Sequence, residues 1–181
     1  SVNGARVAVQ GYGEVGSVAA RLFHNAGARV VAVSDSQGGI QALDTSLDLD
    51  AVDGWKREHG TVVGLPGTRT ITNADLLVSE CDVLIPAALG DQIRRDNAER
   101  VRARLVIEGA NRPTSPEADD ILARRGVRVL PDLLANAGGV IVSYFEWVQN
   151  IQNQDWSLEE INDRLRAQLV RATDRAVERW R

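Results

Sequence analysis

Short continuous apolar runs alternate along this chain with stretches in which apolar residues recur at helical spacing. Val7, Ala8 and Val9 form one such run, the kind found in buried parallel strands. Beyond a glycine-rich segment, Val15, Val18, Ala19, Leu22 and Phe23 recur at the spacing of one helix face. Gly27 predicts the end of that helix as a C-terminal cap. Arg29 to Val33 predicts a second buried strand that closes on Ser34-Asp35-Ser36. Strand, helix and strand fit within about thirty residues, the size of one βαβ unit.

The pattern loosens between Gln37 and Thr72. Leu49 to His59 predicts a helix that starts near Asp48 or Asp50, and Gly60, Gly64, Pro66 and Gly67 divide the rest of the stretch into turns and short extended pieces. This stretch reads as an elaborated connection within one domain. Alternation then resumes. Asn73 is placed to cap a short helix through Val78, Asp82 to Pro86 predicts a strand, and Asp91 to Val101 predicts a helix. Leu105 to Ile107 and Val127 to Leu130 predict two more strands. Ser115-Pro116-Glu117 opens the helix between them, and Gly126 stops it. Asn136 to about Asn150 predicts a helix despite Gly138 and Gly139. Ser157-Leu158-Glu159-Glu160 is a capping box opening a terminal helix with the stripe Leu158, Ile161, Leu165, Leu169, Ala172, Ala176 and Trp180. The expected fold class is α/β: a doubly wound, mostly parallel sheet with helices on both faces. Residues 1–181 are expected to form one dinucleotide-binding domain, with C-terminal helices from about 136 and over 157–181.

Composition narrows the setting. The net charge of -4 offers nothing to attract nucleic acid. No apolar run approaches the length of a membrane span. Strand-like sequence from the start argues against a signal or transit peptide. The single cysteine, Cys81, rules out an internal disulfide framework and favours a reducing, cytoplasmic setting. Lys56 is the only lysine among 21 basic residues, and methionine is absent. A high-GC genome, adaptation to salt and design are three open readings of that bias.

The candidate chemistry sits in Gly11-Tyr12-Gly13-Glu14-Val15-Gly16. A lone GxGxxG is weak, but here a strand precedes it, a helix comes after it and an acid closes the next strand. Gly11 permits the tight turn, Gly13 bares the backbone to a pyrophosphate, and Gly16 lets helix pack on strand. The pyrophosphate would rest on free N–H groups at the helix start. Asp35 lies nineteen residues beyond Gly16. Its carboxylate suits the hydroxyls of an adenosine ribose and would repel a 2′-phosphate, which favours NAD over NADP. Ser36 beside it would tolerate that phosphate, so NADP stays open. The alternative for Asp35 is a loop acid that caps a turn.

Three further strand ends are polar or rich in small residues: Pro86-Ala87-Ala88-Leu89-Gly90, Glu108-Gly109-Ala110-Asn111 and Asn136-Ala137-Gly138-Gly139. Ligands of open parallel sheets bind at such ends. Asn111 and Asn136 suit a nicotinamide ribose or carboxamide, or equally the backbone of their own turns.

At this point the chain resembles the glutamate dehydrogenase family, which includes leucine, phenylalanine and valine dehydrogenases. Val7-Ala8-Val9-Gln10-Gly11-Tyr12-Gly13-Glu14-Val15-Gly16, Pro86 to Gly90, Glu108 to Thr114 and Pro131 to Trp147 carry the resemblance, over essentially the whole chain. Asn136-Ala137-Gly138-Gly139 followed by Ser143-Tyr144-Phe145-Glu146-Trp147 is the most specific part. The resemblance implies oxidative deamination of L-glutamate to 2-oxoglutarate and ammonia with NAD(P), and identifies this as the family's second, Rossmann-type domain. It implies that Glu14 and Val15 lie at the pyrophosphate, Asp35 and Ser36 at the adenosine ribose, and Ala87 and Ala88 along the cofactor cleft. It implies that Asn111 and Asn136 approach the nicotinamide, and that Val140 and Ser143 belong to the substrate side-chain pocket. Two positions depart from the family pattern: Glu14 stands for the usual asparagine and Arg112 for the usual glycine.

The family's catalytic lysine, catalytic aspartate and carboxylate-gripping lysine belong to a first domain whose segments do not occur here, so no catalytic residue is expected in this chain. Lys56, between Trp55 and Arg57, reads as a solvated side chain. The resemblance implies a hexameric parent held largely through the other domain, and a monomer or weak dimer for this chain alone. Glutamate and 2-oxoglutarate would bind only together with that domain. The chain looks like an excised domain, or else a redesigned Rossmann scaffold without useful cofactor binding. His24 and His59 lack ligand-spaced neighbours, so no metal site is expected. Trp147 and Trp156 mark either plain packing or a surface toward the other domain.

Overall fold

The computed structural model describes residues 2–179. The chain divides into two compact units, Ser1–Leu130 and Pro131–Arg181. Among the described residues of the first unit, seven strands form one sheet in the order β4-β3-β2-β1-β5-β6-β7. They are β1 (Arg6–Gln10), β2 (Arg29–Asp35), β3 (Gly38–Ala42), β4 (Thr68–Ile71), β5 (Val83–Pro86), β6 (Leu105–Ile107) and β7 (Arg128–Leu130). β1, β2, β5, β6 and β7 run parallel, whereas β3 pairs antiparallel with both β2 and β4. β4 therefore points the same way as β2, and its carboxyl end reaches the same edge of the sheet. The chain winds from β1 outward through β2 and then restarts at β5 on the other side of β1, which puts the topological switch between β1 and β5.

The strands carry apolar residues on both faces, and each face has its own helices. Val7, Val9, Val30, Val33, Val83 and Ile85 pack with Ala20 of α1 (Glu14–Asn25) and with Leu49 and Val52 of α2 (Leu49–His59). Ala8, Ala32, Leu84 and Val106 pack on the opposite side with Leu76 and Leu77 of α3 (Asn73–Leu77) and with Ala118, Ile121 and Leu122 of α4 (Pro116–Arg124). Strict alternation slips once. Val31 and Ala32 face the same side, where the β1–β2 register shifts between Val7 and Ala8. A bulge that inserts one residue produces this slip.

Most helix ends obey local chemistry read from the sequence. Gly27 has φ 89° just past α1, Asp48 accepts from Asp50 and Ala51 N–H at the start of α2, and Ser115 caps α4 with Pro116 at its first position. The cap of α3 is Thr72, not Asn73: Thr72 and Asp75 form a reciprocal capping box. The Asn73 side chain is drawn away, since its Nδ2 donates to Asp35 O and its Oδ1 accepts from Ser34 Oγ.

Two stretches differ from expectation. Gln37–Thr72 contains β3 ahead of its helix, where no strand is expected, while the short extended piece after Gly67 is β4 and pairs into the same sheet. Gly38-Gly39 looks like a loop in sequence, but a Cβ at Gly39 would meet Ser34 Cβ at 2.9 Å. Glycine is there to let β3 lie close on β2. The helix expected over Asp91–Val101 shrinks to a 3-10 turn, Ala98–Arg100. Asp91 holds φ 52°, outside the helical region, and the Gln92 and Ile93 N–H groups both bond Pro113 O. Ile93, fully buried, bridges to Thr114. Pairing with a distant loop overrides the local pattern.

Among the described residues, the second unit carries three helices, α5 (Asp132–Ala135), α6 (Gly138–Gln152) and α7 (Leu158–Arg179). The Ser157–Glu160 capping box forms, with Ser157 N–H on Glu160 at 2.9 Å and Glu160 N–H on Ser157 at 3.2 Å. Phe145 is buried and meets Trp156 edge-on at 5.7 Å, and Arg164 stacks 3.9 Å from the Trp156 ring. Trp156 thus serves packing. Val140, Tyr144, Trp147 and Ile151 leave an exposed stripe on α6. Trp180 of the terminal stripe lies outside the described residues. No described helix is long and apolar enough to cross a membrane.

Candidate functional site

The glycine segment lies at the β1–β5 switch. Gly11 turns at φ 92°, and both Gly11 and Tyr12 donate their N–H to Ser34 O at the end of β2. A Cβ on Gly11 would stand 2.8 Å from the backbone of Ala87 and Ala88, so the turns after β1 and β5 touch. A Cβ on Gly16 would stand 1.9 Å from Gly11 O, so α1 starts directly against the turn. Gly13 is different. It is the N-cap of α1 with no side chain closing the helix end, and a Cβ there would meet nothing within 4 Å. The first helical bond is Ser17 N–H to Gly13 O. By helix geometry the N–H groups of Glu14, Val15 and Gly16 point out of the helix end. Glu14 and Val15 are exposed and Gly16 is buried. The result is an open backbone cradle with a positive helix end and space above it.

Neighbouring strand ends extend this edge. Ala87 N–H bonds Gln10 O at 2.7 Å, and Ala110 N–H bonds Pro86 O at 2.9 Å. A Cβ on Gly109 would touch Ala87 Cβ at 3.0 Å, and one on Gly90 would lie 3.2 Å from Asn111 O. Gly11, Ala87, Ala88 and Asn111 therefore line one continuous edge, with Ala88 and Asn111 exposed. Arg112, the departure after Asn111, holds φ 43° while its carbonyl accepts from Asp91 N–H. That left-handed backbone explains why glycine suits the position. Asn136, Val140 and Ser143 belong to the second unit. Asn136 caps α5 with its N–H on Asp132 O, and Val140 and Ser143 are exposed one turn apart on α6.

Asp35 is built into its surroundings. Its carboxylate, 9% exposed, accepts from Gln37 N–H (2.9 Å) and Thr61 Oγ1 (3.1 Å) on one oxygen. The other oxygen accepts from Val62 N–H (2.8 Å) and Lys56 Nζ (3.4 Å). Burial pushes the carboxyl pKa up. The bonds from Gln37, Val62 and Thr61, with the charge of Lys56, outweigh burial and hold it below its ordinary value. Four donors meet the four acceptor positions of a carboxylate. The geometry is that of a turn-capping acid, and a ribose hydroxyl would have to take the place of one of these donors. Ser36 beside it is exposed, on a groove of about 360 Å³ whose wall includes Gln37, Gly38 and the carboxyl end of β4.

Lys56 is not a solvated side chain. It is 30% exposed, pairs with Asp35, and stands 5.9 Å from the centre of the Tyr12 ring. The sequence holds one usable signal: Lys56 comes four residues after Val52 and seven after Leu49, and both are buried, so it shares their inward face. Tyr12, 2% exposed, is a second residue that sequence reasoning misses. Its hydroxyl donates to Asp53 at 2.7 Å, Arg21 of α1 binds Asp53 and Asp50 of α2, and burial with the Asp53 contact pushes the phenol pKa well up. This cluster pins the glycine turn and α1 to α2. Cys81 is buried, and burial pushes its thiol up to about 12, which leaves it unreactive.

A doubly wound sheet with a glycine cradle at its switch point is a nucleotide-binding fold of the Rossmann type. The family model described as Glutamate/Leucine/Phenylalanine/Valine dehydrogenase matches residues 1–181, and the chain belongs to that family. A glutamate dehydrogenase of Thermotoga maritima is 54% identical over 162 residues, 89% of this chain and 39% of the relative. An NADP-specific glutamate dehydrogenase of Synechocystis sp. is 51% identical over 173 residues, 91% of this chain and 40% of the relative. The crystal structure of the hetero-hexameric glutamate dehydrogenase of Thermus thermophilus superposes with a TM-score of 0.87 at 37% identity, covering 96% of this chain and 41% of that one. The chain thus spans about two fifths of the length of these relatives.

Proposed function

We propose that this chain is the cofactor-binding domain of a glutamate dehydrogenase, acting in the oxidative deamination of L-glutamate to 2-oxoglutarate and ammonia. The observation that carries this reading is the open cradle at Gly13, framed by turns so close that Gly11 and Gly16 admit no side chain. The residues fit a dinucleotide: the unfilled space over Gly13 gives a pyrophosphate room, and the first-turn N–H groups of α1 face that space. When bound, the nicotinamide supplies a hydride acceptor, taking two electrons from the Cα–H of glutamate.

The chain's own part is to bind and orient. Gly13, Glu14, Val15 and Gly16 hold the pyrophosphate through backbone N–H groups. Ala87 and Ala88, lacking bulk, leave the edge beside β5 open to a flat ring, and Asn111 offers an amide toward its ribose or carboxamide. For the second unit, likeness to the glutamate dehydrogenase family is what assigns Asn136 a cofactor role and Val140 with Ser143 a role toward the glutamate side chain. No residue among the 181 is assigned to proton transfer, so the chain by itself is expected to produce no NADH from glutamate. Calorimetric titration of the chain with NAD and NADP tests the reading. Saturable binding of either supports it, and absence of binding at millimolar ligand overturns it.

A further inference from the structure

On the proposed reading of this edge as a dinucleotide site, we infer that Gln10 and Gln92 form a directed amide relay. It holds the loop at residues 87–91 in place beside Asn111, and so positions the nicotinamide end of the edge without touching the ligand. Gln10 is the last residue of β1 and is 1% exposed. A buried glutamine has to satisfy its amide within the protein. Gln10 does so only in part. Its Nε2 donates to Gln92 Oε1 at 2.7 Å, whereas its Oε1 is buried with no partner among the described residues. An unmet buried oxygen is destabilising, and an apolar side chain of the same length would fill the place without it. Packing therefore does not account for a glutamine at this position.

What the side chain does is grip the next loop. Gln92 Nε2 donates in turn to Gly90 O at 2.9 Å. That carbonyl can only accept, so the Gln92 nitrogen faces Gly90, its oxygen faces Gln10, and the Gln10 nitrogen answers it. The Gly90 carbonyl thus sets the direction of the relay, and the unmet oxygen of Gln10 is the consequence. One residue holds both ends of the loop, since Gln10 O also accepts from Ala87 N–H at 2.7 Å. Between those anchors Ala88, Leu89 and Gly90 are exposed. The loop is strained: Asp91, at φ 52°, donates its N–H to the carbonyl of Arg112, at φ 43°, and both are left-handed without being glycine. Such strain persists only where the surroundings impose it. A Cβ on Gly90 would stand 3.2 Å from Asn111 O, so fixing the Gly90 carbonyl also fixes the spacing between the turn after β5 and Asn111.

The test is titration of the full 181-residue chain with NAD and ADP-ribose, which lacks only the nicotinamide, and with NADP and 2′-phospho-ADP-ribose. The proteins are the wild type, Gln10→Met, Gln92→Met and Gln92→Glu, each also melted thermally. The wild type is expected to favour a dinucleotide over its counterpart without the ring. Each variant should cut that preference by about fivefold, the worth of one hydrogen bond, while affinity for the counterpart changes by less than about twofold. Gln92→Glu tests the direction of the relay. It still accepts from Gln10 but has nothing to donate to Gly90, so it should behave as Gln92→Met does. Gln10→Met should melt no lower than the wild type, because it removes the unmet oxygen. If Gln92→Glu keeps the wild-type preference, or if Gln10→Met melts lower and weakens both members of a pair alike, the two glutamines are only a strut and the inference falls. It falls too if the wild type binds both members of each pair equally, which leaves the dinucleotide site standing. If the wild type binds none of the four, the dinucleotide site itself falls.

Discussion

Gly16 and Gly13 belong to one motif but are required for different reasons, and a pair of alanine substitutions separates them. In Gly16→Ala the new methyl would stand 1.9 Å from Gly11 O and 3.1 Å from Val9 Cγ1, whereas real Cβ atoms almost never come within 3.0 Å of another heavy atom. Helix or turn must therefore shift by about 1.1 Å. The turn has little freedom to do so. Gly11 already lies against the backbone of Ala87 and Ala88, and its N–H and that of Tyr12 are fixed on Ser34 O. Overpacking against backbone belongs at the top of the usual range of about 1–3 kcal/mol. Alanine returns about 1 kcal/mol through helix propensity. The net loss is about 2 kcal/mol, which lowers Tm by about 4–8 °C in a chain of this size. In Gly13→Ala the methyl meets nothing within 4 Å and the backbone, at φ -97°, accepts any residue. Gly13 is the N-cap of α1, where alanine is less favourable than glycine, so stability should fall by no more than about 1 kcal/mol, while cofactor affinity falls because the methyl occupies the space above the cradle. Thermal melts by circular dichroism, paired with cofactor titration, read both effects. A Gly16→Ala protein as stable as wild type, or a Gly13→Ala protein as damaged as Gly16→Ala, would refute this account of the turn.

Asp35→Asn should flatten the acid limb of the stability curve. The folded-state pKa of Asp35 is depressed, so its contribution is complete above the ordinary carboxylate value and is lost as pH falls through the folded one; urea midpoints measured from neutral pH down to about pH 3 should decline less steeply in the variant. Asp35→Ala, which strands two N–H groups, a hydroxyl and Lys56, should cost about 2–4 kcal/mol by urea denaturation. Arg112→Gly relieves a left-handed backbone at φ 43° and should raise stability by about 0.5–1 kcal/mol in the same assay.

The parallel half of the sheet is legible because buried parallel strands write themselves as continuous apolar runs. Val7 to Val9 and Val30 to Val33 have that form, and the glycines and acid between and after them fall at the expected spacing. β3 is not legible: Gly38-Gly39 signals a loop unless one knows that β2 approaches too closely for a side chain. The stretch from Asp91 to Val101 has helical composition, but the Gln92 and Ile93 N–H groups serve Pro113 and Ile93 bridges to Thr114, partners that helical spacing does not reveal. In the site, the turn can be read from spacing because glycine answers a local backbone demand. Asp35 can be located but its engagement cannot, since Thr61, Val62 and Lys56 reach it from 21 to 27 residues away. Lys56 misleads because its charge and its charged neighbours outweigh its place on the inward face of α2.

The central claim is that a dinucleotide lies across the β1–β5 switch, and amide chemical-shift mapping during titration with NADP tests it most directly. The expected result is saturable shifts concentrated at Gly11, Gly13, Glu14, Val15, Gly16, Ser36, Lys56, Ala87, Ala88 and Asn111, with the amides of α4 and the amino end of β1 unmoved. Saturable shifts confined to other surfaces, or none at millimolar ligand, would contradict it.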